Sequence, residues 1–123
     1  HMSQTPLVSN AVNEQDQELI DRATAIIRKY FDDIDFDMNV LASELGIGRS
    51  KLYLRIKEIT GLTPNELTLK IKLEEAMYLL NNQPNLNISE ISYQLGFSSP
   101  RYFSKCFKSF YGVSPQNCRK GVN

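Results

Sequence analysis

Arg101, Lys105 and Lys108 recur at i, i+4 and i+7 in the stretch GFSSPRYFSKCFKSFYGVSP, residues 96–115. On a helix that spacing lines three cations along one face. Phe103, Phe107 and Phe110 repeat the spacing on a different face. Arginine presents a planar fork of donors that stays charged at any ordinary pH, and lysine presents a compact point charge. Ser99, Tyr102 and Ser104 add hydroxyls to the same neighbourhood. Such a set binds anionic, acceptor-rich surfaces; it neither shuttles protons nor attacks carbon. Acid–base or zinc chemistry would need residues that are missing. The one histidine is His1, in a His1-Met2 pair that reads as vector-derived, and Cys106 and Cys118 alone cannot complete a Cys/His metal site. With no glycine-rich phosphate loop and no nucleophile motif either, no catalytic residue, metal or cofactor is expected, and the chain does not read as an enzyme.

The elements that position these side chains follow from local signals. Gly96-Phe97 breaks the preceding segment, Ser98 and Ser99 supply N-cap oxygens, and Pro100 suits a first helical position. Gly112 ends the helix and Pro115 lies three residues beyond. Phe103, Phe107 and Phe110 are then expected in the core.

Upstream, residues 1–13 are polar and aperiodic, and read as a disordered linker cut from something longer. A first subdomain is expected over 14–62. Its first helix, Glu14 to Phe31, carries an apolar stripe from Leu19 to Phe31 and reads as scaffold. The acidic connector from Asp32 to Asp37 lacks calcium-loop spacing. Met38–Leu45 and Arg49–Thr60 follow as two short helices joined by Gly46-Ile47-Gly48, a helix-turn-helix arrangement. Thr63, Pro64 and Glu66 make a capping box at the start of a long linker helix over 63–81, with Leu73 or Glu74, Met77 and Tyr78 among its inward positions. Residues 82–123 hold the second subdomain, closed by a short helix from Pro115 to about Lys120.

The two subdomains repeat one another. Ile88, Ile91, Ser92, Leu95 and Gly96 reproduce Met38, Leu41, Ala42, Leu45 and Gly46 at an offset of fifty. One residue later in the turn the offset is fifty-one, and Phe103, Phe107, Lys108, Phe110, Gly112 and Pro115 reproduce Leu52, Ile56, Lys57, Ile59, Gly61 and Pro64. Turn, core and stop signals recur together, which marks an internal repeat. The predicted fold is all-α: two helix-turn-helix subdomains joined by a long linker helix, about seven helices in all.

Charge is segregated although the formal net charge is zero. Residues 1–47 carry nine Asp/Glu against three Lys/Arg; residues 48–123 carry eleven Lys/Arg against five Asp/Glu. The basic part matches the electrostatic footprint of a nucleic-acid surface. Two helix-turn-helix units can each place a second helix in a major groove. On B-DNA the two grooves lie ~34 Å apart, and an eighteen-residue helix spans roughly 27 Å, so one chain can serve both. No apolar run reaches the ~18 residues of a membrane span, and two unpaired thiols fit a cytoplasmic protein.

The stretch LGFSSPRYFSKCFKSFYGVSPQNCR closely resembles the signature region of the AraC/XylS family of bacterial transcription regulators. LASELGIGRSKLYLRIKEITGLTPNEL followed by KIKLEEAMYLLNN resembles the other half of the same domain. The resemblance covers roughly residues 15–120. It is most like the C-terminal output domains of Bacteroidetes hybrid two-component regulators, which control polysaccharide and sugar-utilisation operons.

That resemblance implies a sequence-specific binder of double-stranded DNA in a cytoplasmic two-component activator, the C-terminal part of a membrane-anchored sensor being one form of it. RNA polymerase is a further candidate partner. The domain by itself is expected to be a monomer without membrane contact, and the parent protein a dimer. Base-reading positions fall on Ser50, Tyr53 and Leu54 in the first unit and on Arg101, Tyr102 and Lys105 in the second. Arg101 can hold guanine O6 and N7 together, Lys105 can take a guanine or a phosphate, and Leu54 can touch only a thymine methyl. Arg49, Lys51, Arg55, Lys57, Ser99, Ser104 and Lys108 are the expected phosphate contacts, which position without reading. Many relatives carry arginine where Leu54 stands, and here the arginine is displaced to Arg55, so the first unit is expected to read bases more weakly. Two rivals stay open at this level: a non-specific architectural DNA binder, and a helical protein-interaction module.

Overall fold

The Asn13 side chain accepts a hydrogen bond from the Asp16 amide at 2.8 Å and so opens the first helix of the computed structural model, which describes residues 13–121. Asn13 apart, the expected linker over 1–13 lies outside the described residues. Seven helices follow and, among the described residues, no strands: α1 Glu14–Lys29, α2 Met38–Leu45, α3 Arg49–Thr60, α4 Pro64–Asn82, α5 Ile88–Gln94, α6 Pro100–Tyr111 and α7 Pro115–Lys120. The fold is all-α, as the periodicity predicts. No helix among the described residues is long and apolar enough to cross a membrane.

The chain forms two compact units. One holds the described residues up to Tyr30 together with Asp35–Ile71; the other holds Phe31–Ile34 and Lys72 onward. The first unit buries Ile20, Ala23 and Ile27 of α1 with Leu41 and Leu45 of α2 and Leu52, Ile56 and Ile59 of α3. At its end Thr63 and Glu66 form the expected capping box: the Glu66 amide donates to Thr63 Oγ1 at 3.1 Å, and the Thr63 amide to Glu66 Oε1 at 2.9 Å. The bond from the Thr63 amide holds the Glu66 carboxyl below its ordinary pKa.

The second unit is built around aromatic rings. Phe97, Phe103, Phe107 and Tyr111 follow one another at centroid distances of 5.1, 5.9 and 4.7 Å. Tyr111 donates its phenol to the Leu73 carbonyl at 3.2 Å, and burial pushes the phenol pKa up to about 12. A second capping box, Asn87 with Glu90, starts α5.

Three expectations need correction, and one open alternative is decided. α1 ends at Lys29, not Phe31, because Tyr30 leaves the helix to stack on Phe36 at 5.2 Å and to donate to Glu44 Oε2 at 2.6 Å. Phe31 belongs to the other unit. Of the alternatives Leu73 and Glu74, Leu73 is the buried one, whereas Tyr78, expected inward, is exposed. Phe110 is not core: it is 45% exposed, with its ring edge-on to Tyr111 at 4.8 Å. Tyr111, the next residue, supplies the ring against Phe107.

Candidate nucleic-acid interface

In the first unit, α2 stops at Gly46, whose φ of +72° is the left-handed conformation a glycine takes at least cost. The chain then re-enters a helix at Gly48, which has no side chain to cap it, so the first turn of α3 lacks a side-chain cap. Leu52 and Ile56 are buried on one side of α3. Arg49, Ser50, Lys51, Tyr53, Leu54 and Lys57 are exposed on the rest. Tyr53 is 42% and Leu54 62% exposed, adjacent on this face. Met38, Arg49, Ser50, Tyr53 and Leu54 line a shallow, mainly apolar depression of about 410 Å³. The three expected base-reading residues of this unit therefore share one surface. Met38 is an addition, since the sequence marks it only as a position of the internal repeat.

The cations of α3 are mostly engaged within the unit. Arg49 Nη1 donates to Asn39 Oδ1 at 3.0 Å, and Lys57 Nζ to the Gly61 carbonyl at 3.1 Å, where it caps the end of its own helix. Arg55 Nη1 bonds Glu58 at 2.9 Å, and Arg55 Nη2 bonds Asp16 of α1. The bond to Glu58, with help from Asp16, raises the Arg55 pKa further. Of the four basic residues on α3, Lys51 alone has no partner among the described residues.

In the second unit Ser99 is the N-cap of α6, accepting from the Tyr102 amide at 3.1 Å, and Pro100 is its first residue, as expected. Its hydroxyl proton stays available to a phosphate while its oxygen caps the helix. Phe103 and Phe107 are buried on the core side; Arg101, Tyr102, Lys105 and Lys108 are exposed on the other, and Ser104 is half-buried. Tyr102 packs its ring against Phe97 at 6.1 Å while remaining 50% exposed. A side-chain hydrogen bond with Cys106 raises its phenol pKa. Arg101, Lys105 and Lys108 have no ion-pair or hydrogen-bond partner among the described residues. The two helices match in register and differ in this respect: α6 offers three unpartnered cations, α3 one.

Among the described residues no cluster of His, Cys, Asp and Glu is arranged to hold a metal, and both cysteines are free. What α3 and α6 present is charge, hydroxyls and flat rings on short helices with buried backs. Side chains of that kind can meet an anionic, acceptor-rich partner.

Residues 41–121 match the family model of a helix-turn-helix domain. Over 115 residues the chain is 37% identical to histidine kinase P4 of Formosa agariphila, covering 94% of this chain and 8% of the kinase. Among solved structures it is similar to the C-terminal domain of AraT, a response regulator from Geobacillus stearothermophilus, with a TM-score of 0.75 and 33% identity over 84% of each chain. It is also similar to the xylose-binding transcription activator xylR, with a TM-score of 0.74 and 28% identity over 94% of this chain and 29% of that one. The chain thus spans a small part of the kinase and of xylR. With two helix-turn-helix units in register and an exposed basic helix in each, the chain belongs to the AraC-type helix-turn-helix family, a non-enzymatic double-stranded-DNA-binding domain of transcription regulators.

Proposed function

We propose that the domain recognises specific duplex sites by placing α3 and α6 in successive major grooves, about 34 Å apart. The observation that carries this reading is the trio of unpartnered, exposed cations on α6, Arg101, Lys105 and Lys108, backed by buried Phe103 and Phe107. Arg101 holds guanine O6 and N7 in its fork, and Lys105, one turn on, takes a second guanine or a phosphate. Tyr102 and Tyr53 meet a thymine methyl or a phosphate, and Ser50 a base edge. Leu54 has only apolar contact to offer, and the depression it shares with Met38 and Tyr53 suits a thymine methyl. Arg49, Lys51, Lys57, Ser99, Ser104 and Lys108 set the docking on phosphates. Base reading is then weighted toward α6.

The parent protein is proposed to be a cytoplasmic regulator or the cytoplasmic end of a membrane-anchored sensor in a two-component system, which the likeness to a histidine kinase and to a response regulator's C-terminal domain supports. Control of carbohydrate-utilisation genes, as an activator working with RNA polymerase, is supported by the likeness to a xylose-binding transcription activator. The domain alone is proposed to bind as a monomer, and the parent as a dimer.

Selection of bound sites from a random duplex pool tests the DNA reading. The expected product is a motif about two half-sites long. Arg101→Ala should then lose about 1–3 kcal/mol and relax preference in one half-site only, while Tyr53→Ala acts on the other. A pool that yields no motif would leave only non-specific binding. A base scan in which the half-site facing Ser50, Tyr53 and Leu54 matters more would reverse the weighting between the two helices.

A further inference from the structure

Arg55 follows Leu54 on α3, one residue beyond the reading face, where its sequence position suggests a phosphate contact. The structure ties it elsewhere. Its Nη2 bonds Asp16, in the first turn of α1, and its Nη1 bonds Glu58 at 2.9 Å. The Asp16 side chain is only 17% exposed and Arg55 35%, so the bridge is partly shielded, whereas Glu58 at 64% is a surface partner. Asp16 is itself held in place, since its amide donates to Asn13 Oδ1 at 2.8 Å. It lies at the positive end of the α1 dipole, where a carboxylate is at its most stable. A phosphate that approached Arg55 would replace one anion by another. The resident anion is pre-positioned and partly shielded from water, so the exchange gains little.

We propose that Asp16 sets the strength of DNA binding by withholding Arg55 from the phosphate backbone, so that the first recognition helix meets the duplex with Arg55 silent. This rests on the reading that α3 lies against DNA. Asp16 makes no DNA contact itself; it acts through Arg55. The consequence is specific: neutralising a residue of the scaffold helix creates a phosphate contact on the recognition helix.

The test is the salt dependence of binding to a site from the selected pool, for the wild type, Asp16→Asn, Arg55→Gln and the double variant, with thermal melts showing each to be folded. Arg55→Gln should leave the slope of log K against log salt unchanged. Asp16→Asn should steepen it by about 0.9, the increment for one released counterion, which amounts to roughly 3.5-fold in affinity across a four-fold range of salt. The double variant should return to the wild-type slope. Gain that persists in the double variant would be mere loss of a negative charge, and overturns the proposal. A flatter slope for Arg55→Gln alone also overturns it, because Arg55 would then already touch phosphate. Guanidinium NMR gives a reading that needs no Arg55 variant: the Arg55 signal should be unmoved by duplex in the wild type and shifted by it in Asp16→Asn. Arg101→Ala, measured alongside, separates the two ideas. If it costs no base preference while the Asp16 and Arg55 variants behave as stated, base reading by α6 fails and the withholding of Arg55 stands.

Discussion

Arg119 donates from Nε to the carbonyl oxygen of Leu80 at 3.3 Å, across 39 residues of sequence. Its Nη2 reaches the Gln83 carbonyl at 3.2 Å and its Nη1 the Leu86 carbonyl. The last carbonyls of a helix have no donor within it, and one guanidinium of α7 serves the end of α4 and the turn that follows. This arginine counts in the basic charge of the second unit, yet its donors are spent inside the fold. Arg119→Lys, which keeps the charge but not the fork, should lower stability by about 2 kcal/mol in urea unfolding. Base preference in the selected site should not change. A loss of binding without a loss of stability would instead make Arg119 a DNA contact.

Gly46 and Gly96 hold the same place in the two repeats and the same backbone, φ +72° and +76°. Their surroundings differ. A Cβ at Gly46 would meet nothing within 4 Å, whereas one at Gly96 would lie 2.4 Å from the Phe31 carbonyl oxygen and 3.3 Å from Lys72 Nζ. Gly46→Ala should therefore cost about 1–2 kcal/mol, the penalty of the left-handed conformation. Gly96→Ala adds a backbone clash and should cost about 3 kcal/mol or more, measured by thermal melting of the two variants side by side. Equal costs would show that the segment from Phe31 to Ile34 gives way freely.

The boundaries of α2 and α3 were legible in residues 38–60, because Gly46, Gly48 and Gly61 punctuate them and periods of 3.6 fill the gaps. The end of α1 was not, since Tyr30 caps it by reaching Glu44, a partner fourteen residues away that no local signal announces. For the candidate site the structure speaks to exposure only. Period placed Arg101 and Lys105 on one face of a helix, whereas Ser50, Tyr53, Leu54 and Tyr102 came from the family resemblance; all six are exposed. What period cannot show is a long-range partner, and the bonds of Arg55 to Asp16 and of Arg119 to Leu86 were invisible for that reason.

Phe110 shows the limit of arguing by repeat. Its counterpart Ile59 is buried, 4% exposed, but Phe110 stands out because Tyr111 follows it, packs its tilted ring against Phe107 and anchors its hydroxyl on Leu73. Phe107→Ala should cost about 3–5 kcal/mol, as a fully buried ring does. Phe110→Ala should cost less than half as much, because its ring keeps much of its water in the folded state. Urea midpoints for the two variants decide it, and equal losses would return Phe110 to the core.

Ser92 carries the opposite lesson about the repeat. It is fully buried, and its Oγ has no hydrogen-bond partner among the described residues. Thr60, the other buried hydroxyl of the repeat helices, shows the usual solution: it donates to the carbonyl four residues back, Ile56, at 2.8 Å. Ser92 does not, and its counterpart in the first unit is Ala42, which is buried with no hydroxyl to satisfy. A buried polar group without a partner costs about 1–3 kcal/mol, whereas losing one small oxygen leaves little cavity. Ser92→Ala should therefore raise stability by about 1 kcal/mol, seen as a higher urea midpoint at unchanged slope. Ala42→Ser should lower it by a similar amount, because the first unit would then carry the same unsatisfied hydroxyl. If Ser92→Ala is destabilising instead, the hydroxyl has found the carbonyl of Ile88, and α5 sits closer to the geometry seen at Thr60.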